Sequence, residues 1–274
     1  MPRLPPQPLK RGRVCHAYTF YAMKKILLLL SLAFVLLLPE ASAQNNRRHD
    51  TNFNGWFMYF GTHKLTDRWG LHTEFQLRRY KIVTEAQQFM PRLALVYNLS
   101  DRASLAGGYA YVHTYPYGDN PAADDFPEHR TYQQLQLRDN HGIFTLQHRF
   151  RLEQRWIKFA GAEDYTYLNR VRYQFRATIP LQGATLEDKE FYLGLYDEVF
   201  VNFGPNVTNN IFDQNRAYAA LGYRFHKDAT LEVGYLHQHV AQRNGVWFEN
   251  NHTLQVGLTY NLDFRKKAPV TPAP

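Results

Sequence analysis

The stretch that decides the fold is Gly142-Ile-Phe-Thr-Leu-Gln-His-Arg-Phe-Arg-Leu-Glu-Gln-Arg-Trp-Ile157. From Thr145 to Arg155 every odd position is polar, whereas most even positions are apolar. A period of two predicts a β-strand with one apolar and one charged face. In a soluble β-sandwich the apolar face would turn inward, and in a membrane barrel lipid would cover it. The length of the strand and its repetition along the chain favour the membrane barrel.

The same alternation predicts eleven strands, joined by turns and loops that alternate between short and long. The strands cover 53–65, 69–80, 87–99, 103–115, 129–139, 143–157, 165–179, 189–203, 212–225, 230–242 and 249–264. Short turns at one end and long loops at the other are typical of outer-membrane barrels, in which the short turns are periplasmic. We therefore predict an all-β fold, a single antiparallel up-and-down transmembrane β-barrel of 10–12 strands.

The odd strand count conflicts with the even number that single-chain bacterial barrels normally have. Either one strand is miscounted, which we favour, or residues 44–52 thread the lumen. Strand 103–115 has one face of small residues and one of tyrosines, and the sequence alone does not orient it.

Residues 23–43 have the form of a secretory signal peptide. Met23-Lys24-Lys25 precedes an apolar run over 26–38, which is too short for a transmembrane helix, and Ala41-Ser42-Ala43 predicts cleavage before Gln44. The predicted organisation is a misassigned upstream extension at 1–22, the signal peptide at 23–43, a short polar segment at 44–52, the barrel at 53–264 and a disordered proline-containing tail at 265–274. The alternative for 1–22 is a genuine cytoplasmic extension.

The charge balance changes once residues 1–43 are set aside. The whole chain has a net charge of +8, but the chain from Gln44 onward has 26 basic and 23 acidic residues and a net charge of +3. This weak positive charge argues against a nucleic-acid partner. The single cysteine, Cys15, also lies in 1–43, so the mature chain has no disulfide and no thiolate chemistry.

The polar strand faces carry many arginines and fewer glutamates, and both sets are predicted to line the lumen. The predicted lumen charge network comprises Arg78, Arg92, Arg130, Arg138, Arg149, Arg151, Arg155, Arg170, Arg172, Arg176, Arg216, Arg224, Glu74, Glu153, Glu190, Glu198 and Glu232. Arginine forks pair with carboxylates and phosphates. The network therefore either fills a narrow bore or provides an anion-favouring pore or a site for a small anionic ligand.

The sequence provides no catalytic constellation and no cofactor or metal site. An outer-membrane lipid-modifying enzyme of the phospholipase type needs a nucleophile, and the mature chain has only Ser100 and Ser104, both beside a predicted periplasmic turn. His237 and His239 share a strand face but fit an interfacial position better than a metal site. Aromatic residues near strand ends, among them Trp56 and Trp69, are predicted to form interfacial girdles.

Several stretches resemble an uncharacterised family of bacterial outer-membrane barrels, domain-of-unknown-function family 2490. The resemblance lies in Asn54-Gly55-Trp56-Phe57, in the run from Leu65 to Gln76, in Pro91-Arg92-Leu93, in the run from Glu128 to Leu135 and in Phe150 to Arg155. It covers most of 55–264 and implies a barrel in the outer membrane of a Gram-negative bacterium. It implies no activity, because none is attached to the family.

We therefore expect an integral outer-membrane protein without enzymatic activity and with a structural, surface-binding or narrow anion-pore role. The phospholipase-like enzyme is the alternative. The expected partners are outer-membrane lipid and lipopolysaccharide, and the barrel-assembly machinery during biogenesis.

Overall fold

The computed structural model describes residues 47–118 and 121–265, which form eleven β-strands closed into one barrel. The strands are β1 (Arg48–Lys64), β2 (Trp69–Tyr80), β3 (Glu85–Ser100), β4 (Ala103–Thr114), β5 (Phe126–His141), β6 (Phe144–Ile157), β7 (Thr166–Pro180), β8 (Glu190–Phe203), β9 (Phe212–His226), β10 (Ala229–Ala241) and β11 (Trp247–Tyr260). Within the described ranges no helix is long and apolar enough to cross a membrane. The predicted all-β barrel and its strand number are confirmed.

The connections distinguish the two ends of the barrel. The short-turn end carries 65–68, 101–102, 142–143, 181–189 and 227–228, of which only 181–189 is long, and the long-loop end carries 81–84, 115–125, 158–165, 204–211 and 242–246. The expected signal peptide and upstream extension lie outside the described residues, and so does the predicted tail beyond Arg265.

The barrel closes through a parallel pair of strands. β1 runs parallel to β11 from Arg48, opposite Trp247, to Phe60, opposite Thr259, whereas all other neighbours are antiparallel. An odd number of strands that alternate in direction can close only in this way. The expected miscount is therefore wrong. The threading alternative is wrong for 48–52, because these residues are paired in β1.

β1 begins at Arg48, five residues before the predicted start at Phe53. The inward side chains of this early part are polar. Asp50, Asn52 and Asn54 alternate inward and are buried against the lumen side of β11. Asn52 donates a hydrogen bond to the Asn251 side chain over 2.9 Å. The outward residues of this segment, His49 and Thr51, are polar as well, so it has no hydrophobic alternation and its pattern was not visible in the sequence.

The outer surface of the barrel is apolar and the inner surface is mostly polar. Phe150 is 43% exposed on the outside, whereas its neighbour Arg151 is buried inside. Aromatic pairs lie near both ends, such as Trp69 with Tyr97 at the short-turn end and Trp156 with Tyr167 at the long-loop end. The outer face is thus matched to an apolar surrounding with interfacial aromatic rings.

Strand β4 turns its small residues inward, which settles the orientation that the sequence left open. A Cβ atom on Gly108 would lie 2.6 Å from the Ala94 Cβ and from the Leu93 carbonyl oxygen, and 2.7 Å from Tyr132 Cζ. Tyr132 is almost fully buried and occupies the space that β4 leaves free. Large side chains from one strand therefore fill the gaps over small residues of the next.

The interior has two chemically distinct walls. Trp56 and Met58 of β1 pack with Tyr218, Ala220 and Leu236 of β9 and β10 and form a buried hydrophobic cluster. β5 to β8 instead project most of the arginines and glutamates. We call the surface formed by the hydrophobic cluster the aromatic wall, and the surface formed by the charged residues of β5 to β8 the charged wall.

We predict that Gly108→Ala destabilises the barrel by about 1–3 kcal/mol, because the backbone oxygen of Leu93 cannot move away from the new methyl group without loss of strand pairing. Unfolding by urea in detergent micelles measures the change. Gly107→Ala is the matched control, since a Cβ there meets nothing within 4 Å. Equal stability of the two variants would contradict the packing of β4 against Tyr132.

Candidate functional site: the lumen

The barrel encloses a cavity of about 1180 Å³, and most of the predicted charge network lines it. All of the predicted arginines except Arg224 border this space, as do Glu74, Glu198 and Glu232. Glu153 lies behind the cavity surface and is completely buried. Most of these residues thus lie along the inner face of the barrel, whereas Arg224 and Glu190 lie at the rim.

Glu153 is the centre of the charged wall. Its carboxylate accepts hydrogen bonds from Arg170 Nε over 2.8 Å and from Arg172 Nη1 over 2.7 Å. Arg130 lies 3.7 Å from the same carboxylate. Three guanidinium groups from β5 and β7 therefore surround one buried anion on β6, which ties three neighbouring strands together from the inside.

Further carboxylates extend this network towards both ends. Glu198 on β8 accepts hydrogen bonds from Arg172 and from Arg149, the latter over 2.8 Å. Towards the long-loop end, Glu128 pairs with Arg130 and Arg155.

Three more acidic side chains, on β9, β2 and β10, pair with arginines of the inner face. Asp213 accepts a hydrogen bond from Arg170 Nη1 over 2.6 Å. Glu74 pairs with Arg92 over 2.5 Å, and Glu232 pairs with Arg176.

Two predicted network members lie at the rim of the short-turn end. The Glu190 carboxylate accepts a hydrogen bond from the backbone N–H of Glu187 over 3.0 Å. Arg224 lies 3.0 Å from Asp188 and donates to the Leu186 carbonyl oxygen. Both residues stabilise the connection 181–189 rather than the centre of the lumen.

Four acidic residues of the inner face were missing from the prediction: Asp50, Glu128, Asp213 and Glu249. Glu128 and Glu249 share the inward alternation of Arg130 and Asn251, but both stand at or beyond the predicted strand ends. Asp213 lies at a register shift between β8 and β9, where it has no paired residue on β8, and this changes the inward alternation locally. The arginine excess of the lumen is therefore smaller than the sequence suggested.

Arg78 and Arg216 have no carboxylate within 4.0 Å among the described residues. Both guanidinium groups instead make cation–π contacts with aromatic rings. The Arg78 guanidinium lies 3.7 Å from the ring centroid of Trp56, and Arg216 lies 4.9 Å from it. Trp56 is 2% exposed, so its expected place in an interfacial girdle is wrong. Arg78 also donates to Gln76 and Gln88, which fills the hydrogen-bonding directions of its fork.

A second group of arginines has unfilled hydrogen-bonding capacity. Arg92 Nε, Arg149 Nε and Arg151 Nη1 are buried and have no hydrogen-bond partner. Arg151 donates through Nε and Nη2 to Gln134 and lies 4.4 Å from the Tyr132 ring centroid. Buried donors without partners are energetically costly, so an acceptor at these atoms would be favourable.

The long-loop end is covered by the connection between β4 and β5. The Tyr117 hydroxyl donates to Glu249 over 2.9 Å. Burial and the Glu249 carboxylate hold the pKa of Tyr117 well above its usual range, so the hydroxyl remains a donor. Pro121 and Ala122 of the same connection also border the cavity. This end of the lumen is thus partly filled by its own loop.

The serines and histidines that the sequence analysis considered lie at separate places in the barrel. Ser100 and Ser104 border the short-turn end of the cavity, and the Ser100 hydroxyl accepts the backbone N–H of Arg102. His237 and His252 face outward with ring centroids 5.5 Å apart. Among the described residues no group of three or more histidine, cysteine or acidic side chains could hold a metal ion.

We predict that Glu153→Gln lowers the free energy of unfolding by about 3 kcal/mol or more, because Arg170 and Arg172 are left without their buried counter-charge. The urea dependence of the folded, heat-modifiable form in detergent micelles measures this loss. Glu190→Gln at the rim is the control and should cost less than about 1 kcal/mol. A Glu153→Gln protein as stable as this control would contradict the central role of Glu153.

Comparison with known proteins agrees with the resemblance seen in the sequence. Residues 53–250 match the family described as protein of unknown function (DUF2490). An uncharacterized protein of Methylorubrum extorquens strain AM1 is 27% identical over 190 residues, which cover 68% of this chain and 77% of that protein. No solved structure matches the chain. Because the family match extends over more than half of the sequence, the chain belongs to the DUF2490 family of proteins of unknown function.

Proposed function

We propose that this chain is an integral outer-membrane protein whose closed, basic lumen binds a small anionic ligand without enzymatic activity. The observation that carries the proposal is the incomplete charged wall, where Arg149 and Arg151 have buried N–H groups without acceptors. Arginine forks of this kind bind carboxylates and phosphates.

The outer surface supports the membrane placement. Apolar side chains such as Phe75, Leu93 and Leu254 are 40–52% exposed around the barrel. Exposure of so large an apolar surface to water is unfavourable, whereas contact with lipid is not. The segment 23–43 has the form of a signal peptide, which fits export from the cytoplasm. In this proposal outer-membrane lipid and lipopolysaccharide contact the outer face, and the barrel-assembly machinery inserts the chain. The short-turn end is periplasmic.

The filled middle of the barrel favours binding over conduction. Trp56, Tyr132, Phe200 and Glu153 occupy the middle of the strands and are at most 2% exposed. A water-filled pore needs a wide continuous path, and the interlocked aromatic and guanidinium groups narrow it.

The membrane placement predicts different effects for two substitutions at one outward position. Phe150→Arg should reduce insertion by about 2–4 kcal/mol, because a cation near the bilayer midplane is costly. Phe150→Leu should insert like the wild type. Folding into lipid vesicles, followed by the heat-modifiable band on gels, measures insertion. Equal insertion of the two variants would argue against lipid contact at β6.

The closed lumen predicts that the refolded protein shows no steady conductance in planar bilayers. Any residual current should favour anions, since the arginines of the lumen outnumber its acidic groups. Reversal potentials in a salt gradient provide this test. A stable open channel in the wild-type protein would overturn the closed lumen, and a cation-selective current would overturn its basic character.

A further inference from the structure

We propose that one carboxylate or phosphate group binds between Arg149 and Arg151 on β6, at the floor of a funnel that opens at the short-turn end. This assignment rests on the proposed function and gives the anion a specific site. It follows from three observations: unfilled donors, an excess of like charge and a gradient of exposure along β6.

The unfilled donors belong to two arginines of one strand. Arg149 and Arg151 stand two positions apart on the same strand face. Arg149 leans towards Glu198 on β8 and Arg151 towards Gln134 on β5, so the unfilled Arg149 Nε and Arg151 Nη1 flank the space between them. Gln134 accepts from Arg151 but leaves Nη1 free. One oxyanion has enough lone pairs to accept from both side chains.

The surrounding charges leave this place positive. Arg151 stands directly opposite Arg172 in the pairing of β6 with β7, and like charges in directly opposite positions repel each other. Arg172 and Arg149 share the Glu198 carboxylate. The carboxylate nearest to Arg151 is that of Glu153, at 3.9 Å, and it already pairs with Arg170 and Arg172. An additional anion would relieve this repulsion.

Exposure decreases along β6 from the short-turn end towards the middle of the barrel. The side chain of Arg149 is 20% exposed, that of Arg151 is 3% exposed and that of Glu153 is fully buried. From the short-turn end, the inner face of β6 is therefore open to solvent up to Arg149 and narrows at Arg151 and Glu153. A ligand that enters from the short-turn end meets these two arginines at the point where the funnel ends.

The entrance of the funnel is polar and basic. Arg138 on β5 is exposed, borders the cavity and has no carboxylate within 4.0 Å among the described residues. It pairs in register with Gln147, diagonally next to Arg149. The neighbouring side chains, Gln136 and Gln147, are neutral amides. This chemistry fits a small ligand with one oxyanion and further hydroxyl or amide groups.

Arg78 provides the contrast that makes the assignment specific. It is about as buried as Arg151 and has no carboxylate within 4.0 Å among the described residues, but Gln76, Gln88 and the Trp56 ring occupy its fork. Positive charge alone would make both places equivalent. Unfilled hydrogen-bonding capacity distinguishes the Arg149–Arg151 site.

The test uses the mature protein refolded in detergent micelles and titrated at constant ionic strength with inorganic phosphate and, separately, with succinate. Isothermal titration calorimetry should show saturable binding of at least one of them, and the stronger of the two identifies the oxyanion class. Arg149→Gln and Arg151→Gln should each raise its Kd by about tenfold, as loss of a charge-assisted hydrogen bond does. Arg78→Gln is the control and should change Kd by less than about twofold.

A second measurement on the wild-type protein covers the case in which a variant does not fold. Phenylglyoxal modifies accessible arginines, and the bound anion should protect Arg149 more than Arg102, whose side chain is 79% exposed. Absence of saturable binding of both anions would overturn the proposed anion function together with this site. Binding that Arg78→Gln weakens as much as Arg151→Gln, or equal protection of Arg149 and Arg102, would overturn the site alone.

Discussion

The burial of the Glu153 carboxylate among arginines is the interaction on which the rest of the lumen depends. An isolated charge in such a place would be very unfavourable, and here Arg170 and Arg172 hydrogen-bond directly to it. Each of these arginines then needs a second acceptor, which Asp213 and Glu198 provide. The network therefore grows outward from one carboxylate and links β6 through β9. On β6, Arg149 Nε and Arg151 Nη1 are buried donors that have no acceptor.

Aromatic rings complete the interior where carboxylates are absent. Phe200 lies 4.3 Å from the Arg172 guanidinium and 4.6 Å from that of Arg216, so it joins the charged wall to the aromatic wall. Guanidinium groups stack on rings because they are planar and weakly hydrated. A barrel of this width can thus be filled by arginines without one acidic partner for each of them.

The odd strand count places the two ends of the described chain at opposite ends of the barrel. β1 starts at the long-loop end and β11 finishes at the short-turn end, since the two strands run in parallel. The seam between them is polar inside, where Asn52 bonds to Asn251 and Trp56 lies opposite Gln255. Asn54 and Thr253 stand opposite each other at this seam without a side-chain hydrogen bond, so closure depends mainly on backbone pairing.

The sequence by itself determined the strands, their two faces and the arginine-rich lumen, because a period of two is a local property that each strand displays independently. It also carried the family resemblance. Only the tertiary structure decided the parallel closure, the inward face of β4 and the inward position of Trp56, because these depend on which strand lies next to which. The same holds for the individual charge pairs. Arg78 and Arg149 look alike in the sequence. Only their neighbours in the folded barrel show that the N–H groups of Arg78 have acceptors and that Arg149 Nε has none.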